Sequence, residues 1–590
     1  MKRLLGLLLA VLIPALALAS CGNGSPLGTE TGREEATLSA TEATTKTAAP
    51  ASTAEATAAK TTDETAELTT EATTEATTDK WEEIATKITM ITASDRNLKI
   101  ECSEFETAEK ASRNDVYLKG PDAVEDGVTP AIQTMVYERN RAADALLGTT
   151  TTFVFWDYDW GKQGPQIDLV VKGKAADAPD LFVNMLYDLN KELLNATFKD
   201  VWSIPNSYFD FTAEGWLSAW MENLSFTGDR AYILGSDYFL DIFRAMAVLP
   251  FNMTMMDENA VKLAPVILGE DEELGAGEAL TTYFFDLVEE GGWTYDVLAE
   301  LCAAIWSDVN NDGQDSIGDV LGIIADEYGG INSGSFVYSC GENLTAVSVI
   351  EDETSEYNGK QWIKYADTSA GLNRIFDEVK AVFDGPGSLS TRATYDGDTP
   401  DNPGVAYHHI KFAASELLFA GVCLLGGLED DAFQTMTDLY SVVPCPKTDV
   451  SKEYNSIVHN VGDAGAMNVN ANPRKARVVS AYLQYCTEKS PAIREEFLEI
   501  VTKYKTTTYN QGTDRMLEII YDSILLGRDK TVDDLVGGDR WHVLIKNDHF
   551  GVGSDYISSR YESLRSSKQT QLDTYMKKWY TLPKTEPKSE

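Results

Sequence analysis

The sequence predicts an α/β chain with mainly parallel sheets, on three observations. Between Trp81 and Pro583, short apolar runs rich in β-branched and aromatic residues alternate with longer amphipathic stretches. At 590 residues the chain is too long for one small core, so two or more lobes are expected. With 43% apolar and 24% charged residues, most of it can bury a core.

The elements follow in order. Ile88-Thr89-Met90-Ile91 reads as a strand. Ala131 to Leu147 reads as a helix stopped by Gly148. Thr151 to Trp156 is β-branched and aromatic, hence a strand. Leu181-Phe182-Val183 reads as a short buried strand after Pro179-Asp180. Trp293 to Val309 reads as a helix with Thr294 as N-cap, and Leu439 to Val443 as a strand ending at Pro444. Lys475 to Cys486 reads as a helix behind Asn470-Ala471-Asn472-Pro473. No internal repeat is present.

The formal charge is 49 − 93 = −44. A surface that acidic repels phosphates and anionic lipid, which argues against nucleic acid as a partner. Mean hydropathy is −0.23, and the one stretch apolar enough to enter a bilayer is at the N-terminus. There Lys2 and Arg3 precede the apolar run Leu4 to Leu18, too short for a spanning helix and read as a signal peptide over 1–20. Leu18-Ala19-Ser20-Cys21 resembles the bacterial lipobox, which implies a diacylglycerol on the Cys21 thiol. Residues 21–80, Thr-, Ala- and Glu-rich with almost no large apolar side chain, read as a disordered tether. Its r.m.s. reach is roughly 40 Å. The folded domain is expected over 81–590. Six further cysteines are scattered without metal or redox spacing, and Cys302, Cys423 and Cys486 read as small core residues.

A set of segments in the folded part resembles a known family. Val136-Tyr137-Glu138-Arg139-Asn140-Arg141, Asp180-Leu181-Phe182 and Phe209-Asp210-Phe211 with Trp216 and Trp220 come first. Gly228-Asp229-Arg230-Ala231-Tyr232, Leu249-Pro250-Phe251-Asn252, Gly292-Trp293-Thr294 and Val442-Val443-Pro444-Cys445-Pro446-Lys447 follow. In this order they resemble the extracellular solute-binding proteins of ABC transporters, family 1, the carbohydrate type. Trp156-Asp157-Tyr158-Asp159-Trp160 and Ser415-Glu416-Leu417-Leu418-Phe419 depart from the family pattern.

The resemblance implies a two-lobe, type II periplasmic-binding-protein-like fold with crossing hinge strands. Lobe one would hold about 81–250 and 455–505, lobe two about 253–445, and C-terminal helices about 506–583. It implies hinge closure around a small solute, ABC permease subunits as partners, and a lipid-anchored place on the outer face of the membrane of a Gram-positive-type bacterium. A surface carbohydrate-binding or sensor protein without a transport role is the alternative, and a glycoside hydrolase a further one.

The side chains suit a sugar. Pyranose rings stack C–H faces on aromatics while their hydroxyls seek carboxylates and amides. The run Trp156-Asp157-Tyr158-Asp159-Trp160 places both chemistries on one loop after a strand end, with Trp156 and Tyr158 as candidate ligand residues, although a solvated turn anchored by tryptophans would look the same. Tyr187, Asp237, Tyr238, Asp463 and Trp541 are the other candidate ligand residues, each open to a structural reading. Asp308, Asn310, Asp312, Gln314, Ser316 and Asp319 carry calcium-loop spacing, with Gly313 at the sharp turn. The last ligand is Asp rather than Glu, and an Asx-rich turn is the simpler alternative. The ion would be structural. No P-loop, HExxH or GxSxG is present, and the five histidines form no ligand spacing, so an enzyme is not expected.

Overall fold

The computed structural model describes residues 70–104, 114–157, 162–175, 177–270, 272–325, 331–390, 407–429, 431–506, 510–524, 528–537, 541–542, 544 and 554–583. Cys21, the signal peptide, most of the tether and Tyr158 lie outside them. The chain forms two compact units, Gly22–Glu83 and the remainder. The described part of the first is helical from Thr70 onward, within a helix that runs to Thr89.

That helix differs from expectation at both ends. It starts inside the stretch assigned to the tether, and Ile88-Thr89 close it rather than open a strand. The reason is periodicity: Ile84 and Ile88 stand four apart, on one helical face, and both are buried.

The first sheet has the order β2-β1-β3-β13-β4. Its strands are β1 (Asn97–Glu104), β2 (Thr150–Asp157), β3 (Leu181–Met185), β4 (Ile233–Leu234) and β13 (Asp463–Met467). β1 runs parallel to β2 and β3, whereas β13 is antiparallel to β3 and β4. β3 and β13 are buried along their whole length, as covered strands of an α/β sheet are. Small residues let the layers close on β13: a Cβ at Gly465 would lie 2.3 Å from the Phe239 ring. The predicted helix Ala131–Leu147 forms with those bounds, and Gly148 ends it in a left-handed turn at φ 59°, its amide donating to Asp144. Pro473–Glu488 is capped by Asn472, whose side chain accepts from the amides of Arg474 and Lys475.

The second sheet has the order β11-β5-β10-β6-β9, with β12 also on β5. Its strands are β5 (Ala247–Asn252), β6 (Leu321–Ala325), β9 (Ser388–Ser390), β10 (Leu417–Phe419), β11 (Cys423–Leu424) and β12 (Tyr440–Val443). β6 is parallel to β9 and β10, and β5 is antiparallel to β10, β11 and β12. Each sheet is therefore mixed, with a parallel set and an antiparallel strand that runs to the hinge. This is the two-lobe, type II arrangement. The helix predicted from Trp293 is shorter than expected, Tyr295–Ile305, and starts at its Thr294 cap.

The hinge is a backbone contact. Met246 and Val458 form an antiparallel bridge, the Ala247 amide donates to Ile457 O at 3.1 Å, and the His459 amide to Ala245 O at 2.8 Å. Both chain passages between the sheets are thus tied to each other.

A hairpin of β7 (Thr345–Val349) and β8 (Gln361–Tyr365) packs against the C-terminal helix Ser554–Thr581. Here Lys568, 5% exposed at its side chain, pairs with buried Asp533 at 2.7 Å. Asp533 also accepts from Tyr338 and from the Trp541 amide. Buried thiols complete the core. Burial pushes Cys302, Cys340, Cys445 and Cys486 up to about 12, and Cys423 higher.

The Lys568–Asp533 pair gives a stability prediction. Lys568→Ala leaves Asp533 buried without its cation, and urea unfolding is expected to show a loss of roughly 3–5 kcal/mol. Arg565→Ala, on the same helix and paired with an exposed carboxylate, is expected to cost less than about 1 kcal/mol.

Candidate functional site

In open α/β sheets, ligands bind beyond the carboxyl ends of the parallel strands. The registers fix where those ends lie. In the first sheet Met185, the last residue of β3, pairs with Asp463, the first of β13, and residues 457–459 just before it form the hinge. In the second sheet β5 leaves the hinge at Ala247, and the chain leaving the carboxyl end of β10 returns along it, Cys423 pairing with Val248 and the Leu425 amide donating to Met246 O. The carboxyl ends of both parallel sets therefore meet at one place, the crossing at Met246 and Val458.

A chain of polar contacts occupies that place. Asn114 Nδ2 donates to Asp463 Oδ2 at 2.9 Å, and the Asp463 amide to Asp241 Oδ2 at 3.0 Å. Arg244 reaches Asp241 Oδ1 at 2.9 Å and grips Glu429 through Nε and Nη2 at 3.1 and 2.8 Å. Tyr117 Oη donates to Glu429 at 3.0 Å and lies under the Arg244 guanidinium, 4.8 Å from ring centroid to Cζ. Burial pushes the Tyr117 phenol up, and two carboxylates hold Arg244 firmly charged. Arg244 sits in the hinge helix Asp241–Arg244, Tyr117 in the turn after β1, and Glu429 in the 3-10 turn Leu425–Glu429 after β11. One guanidinium thus binds together the hinge and both sheets. Tyr117, Arg244 and Glu429 were missed in the sequence; Arg244 and Glu429 are 185 positions apart, and no local pattern links them.

Three of the predicted ligand residues lie at the carboxyl edge of the first sheet. Trp156 is half-buried near the end of β2, its ring 6.2 Å from Phe182. Tyr187 follows β3, its amide donates to Asn460 O, and the Lys191 ammonium lies 3.3 Å from its ring centroid. Asp463 is in the network above. Tyr238 is fully buried among Phe239, Tyr482 and the Arg139 guanidinium. Trp541 is buried between Tyr365 and Tyr561, under Lys568.

Asp237 is fully buried and pairs with Arg494 at 2.9 Å. Arg494 in turn covers the Tyr521 ring, which stacks on Phe243 of the hinge helix. Burial outweighs the cation and pushes the Asp237 carboxyl up to about 7.

In the 308–319 loop the side-chain oxygens meet backbone amides. Asp308 accepts from Asp312 and Gly313, Asn310 from Asp312, Asp312 from Gln314, and Asp319 from Val309 and Ser316. Asn311 and Gly313 take φ 60° and 76°. Among the described residues no three His, Cys, Asp or Glu side chains come together as a metal site. No helix among them is long and apolar enough to cross a membrane.

No family model matches the chain, and no curated protein is similar to it. Solved structures are. The GacH receptor of Streptomyces glaucescens is 10% identical over 82% of this chain and 100% of its own, at a TM-score of 0.42. The galacto-N-biose/lacto-N-biose I-binding protein of an ABC transporter from Bifidobacterium longum is 12% identical over 82% and 98%, at 0.42. The sugar-binding protein MalE from Xanthomonas citri is 10% identical over 82% and 99%, at 0.44.

Asp237 gives a pH dependence. Its ordinary value is 3.8 and its folded value about 7. Between the two, the folded chain keeps a proton the unfolded chain has lost, so this group's contribution to stability falls as pH rises from about 4 to about 7. Melting temperatures across that range are expected to show a smaller decline in Asp237→Asn than in the parent chain.

Proposed function

We propose that the chain is a lipid-anchored extracellular solute-binding protein. It captures a small solute, an oligosaccharide, between two lobes and delivers it to an ABC importer. The observation that supports this best is the meeting of the carboxyl ends of both parallel strand sets at one two-stranded crossing. Such a junction lets two rigid sheets close on a ligand without chemistry. The family resemblance of the ordered segments supplies the ligand class and the importer. The signal-like N-terminus and Cys21 supply the anchor.

In this scheme Trp156 offers an aromatic face near the end of β2 and Tyr187 another after β3, while Tyr158, outside the described residues, is a third candidate. Arg244 and Glu429 brace the hinge. A calcium ion in the 308–319 loop would brace the approach to β6, and no part of capture passes through it.

A thermal-shift screen against mono- and oligosaccharides, with peptides and polyamines as controls, tests the reading. A sugar is expected to raise the melting temperature, to be recovered intact, and to compact the protein in X-ray scattering. Trp156→Ala is expected to weaken that sugar by about 1 kcal/mol or more. A response confined to peptides or polyamines would remove the carbohydrate assignment, and recovery of cleaved sugar would make the protein a hydrolase.

The anchor is tested separately. Cys21→Ala is expected to move the protein from the membrane fraction to the medium, or to leave its precursor uncleaved; unchanged fractionation and processing would refute the lipid.

A further inference from the structure

A second concavity lies away from the hinge, between the β7–β8 hairpin and the helix Ser554–Thr581. It encloses about 260 Å³ and is lined by Tyr357, Lys364, Arg565, Gln569, Asp573 and Lys577, among others. That is slightly below the roughly 300–1,000 Å³ of pockets for larger ligands, and suits a single sugar unit.

Its walls are fixed. The Trp362 indole N–H donates to Asp573 Oδ1 at 2.8 Å, Gln569 Nε2 donates to the same oxygen at 2.8 Å, and Gln569 Oε1 accepts from the Tyr365 amide at 2.9 Å. Trp362 is 4% exposed and stacks on Tyr580 at 6.1 Å and 14°, while half-buried Tyr357 meets it edge-on at 5.2 Å. The pocket therefore offers the half-buried Tyr357 ring, backed by Trp362, and an oriented amide–carboxylate pair, the combination that receives a sugar's C–H face and hydroxyls.

Its charge is unlike the rest of the molecule. In a chain of net charge −44, Lys364, Arg565 and Lys577 converge on this one pocket. Neither lysine has a carboxylate within ion-pair distance among the described residues, and Arg565 has only Asp367, 99% exposed and 3.4 Å away. Asp573 accepts from the neutral Trp362 and Gln569 through one oxygen, so three cations share the pocket with two carboxylates, Asp367 and Asp573. The exposed ammonium groups are thus open to an incoming anion.

We propose that this pocket is a second binding site, separate from the cleft, for a saccharide unit that bears a carboxylate or a phosphate. The Tyr357 ring takes the sugar ring, Gln569 and Asp573 take hydroxyls, and Lys364, Arg565 and Lys577 take the anionic group. The site shares no residue with the hinge and does not depend on what the cleft binds.

Calorimetry on the full chain tests it with glucuronate, glucose 6-phosphate, glucose and inorganic phosphate. At least one of the two acidic sugars is expected to bind, and which one does tells carboxylate from phosphate. Glucose and phosphate are expected to bind at least about tenfold more weakly. The double substitution Lys364→Glu and Lys577→Glu is expected to weaken the acidic sugar by about tenfold or more. Both lysines are exposed, so the melting temperature is expected to hold. Tyr357→Ala, which leaves every cation in place, is expected to weaken it about fivefold. The proposal is overturned if neither acidic sugar binds, if binding survives these substitutions, or if phosphate alone binds as tightly as the acidic sugars.

Discussion

The backbone bridge between Met246 and Val458 is the constraint on which the rest of the molecule depends. Two sheets of similar construction are joined by two short passages of chain, and those passages hydrogen-bond to each other. Everything near the crossing is arranged around that pair. β5 and β13, the antiparallel strands of their sheets, both begin next to it, so each sheet is anchored to the hinge through an interior strand. A rotation at the crossing would carry β5 and β13 with it, and through them the strands to which they are hydrogen-bonded.

Electrostatics reinforces the same place. An acidic chain has few cations to spend inside itself, and several of them are buried at joints between elements. Arg244 ties the hinge helix to both sheets, Arg494 holds Asp237 behind it, and Lys568 holds the C-terminal helices together. Each is surrounded by carboxylates or aromatic rings, where a guanidinium or ammonium keeps its charge despite burial. The strongest interactions therefore lie between elements that are distant in sequence.

That distribution explains what the sequence revealed. The helix Ala131–Leu147 and the strands around Thr151 and Leu181 could be read because period, cap and stop residue all agree locally. The strand expected at Ile88 failed because four residues are too few to separate a period of two from the end of a helical stripe. The positions of Trp156, Tyr187 and Asp463 at strand ends could be read because polar or aromatic residues there adjoin short apolar runs. Asn114, Tyr117 and Glu429 were not, because their roles come only from being folded against Arg244 and Asp463. Tyr238 shows the converse, since an aromatic beside an acidic residue looks the same in sequence whether it faces a solvent cleft or a dry core, and Trp541, between Arg540 and His542, carries no local sign of its burial.

The deeply buried thiols carry a consequence for how the chain withstands oxidants. A thiol whose ionisation burial pushes this far up stays protonated at neutral pH, and the thiolate is the form that attacks disulfides and oxidants. Once folded, Cys302, Cys340, Cys445 and Cys486 are shielded from glutathione, peroxide and neighbouring proteins alike. Their exposure to oxidative damage is confined to the interval before the core closes. Rapid folding is then itself the antioxidant defence, and reagents that alkylate thiols become a direct clock for it.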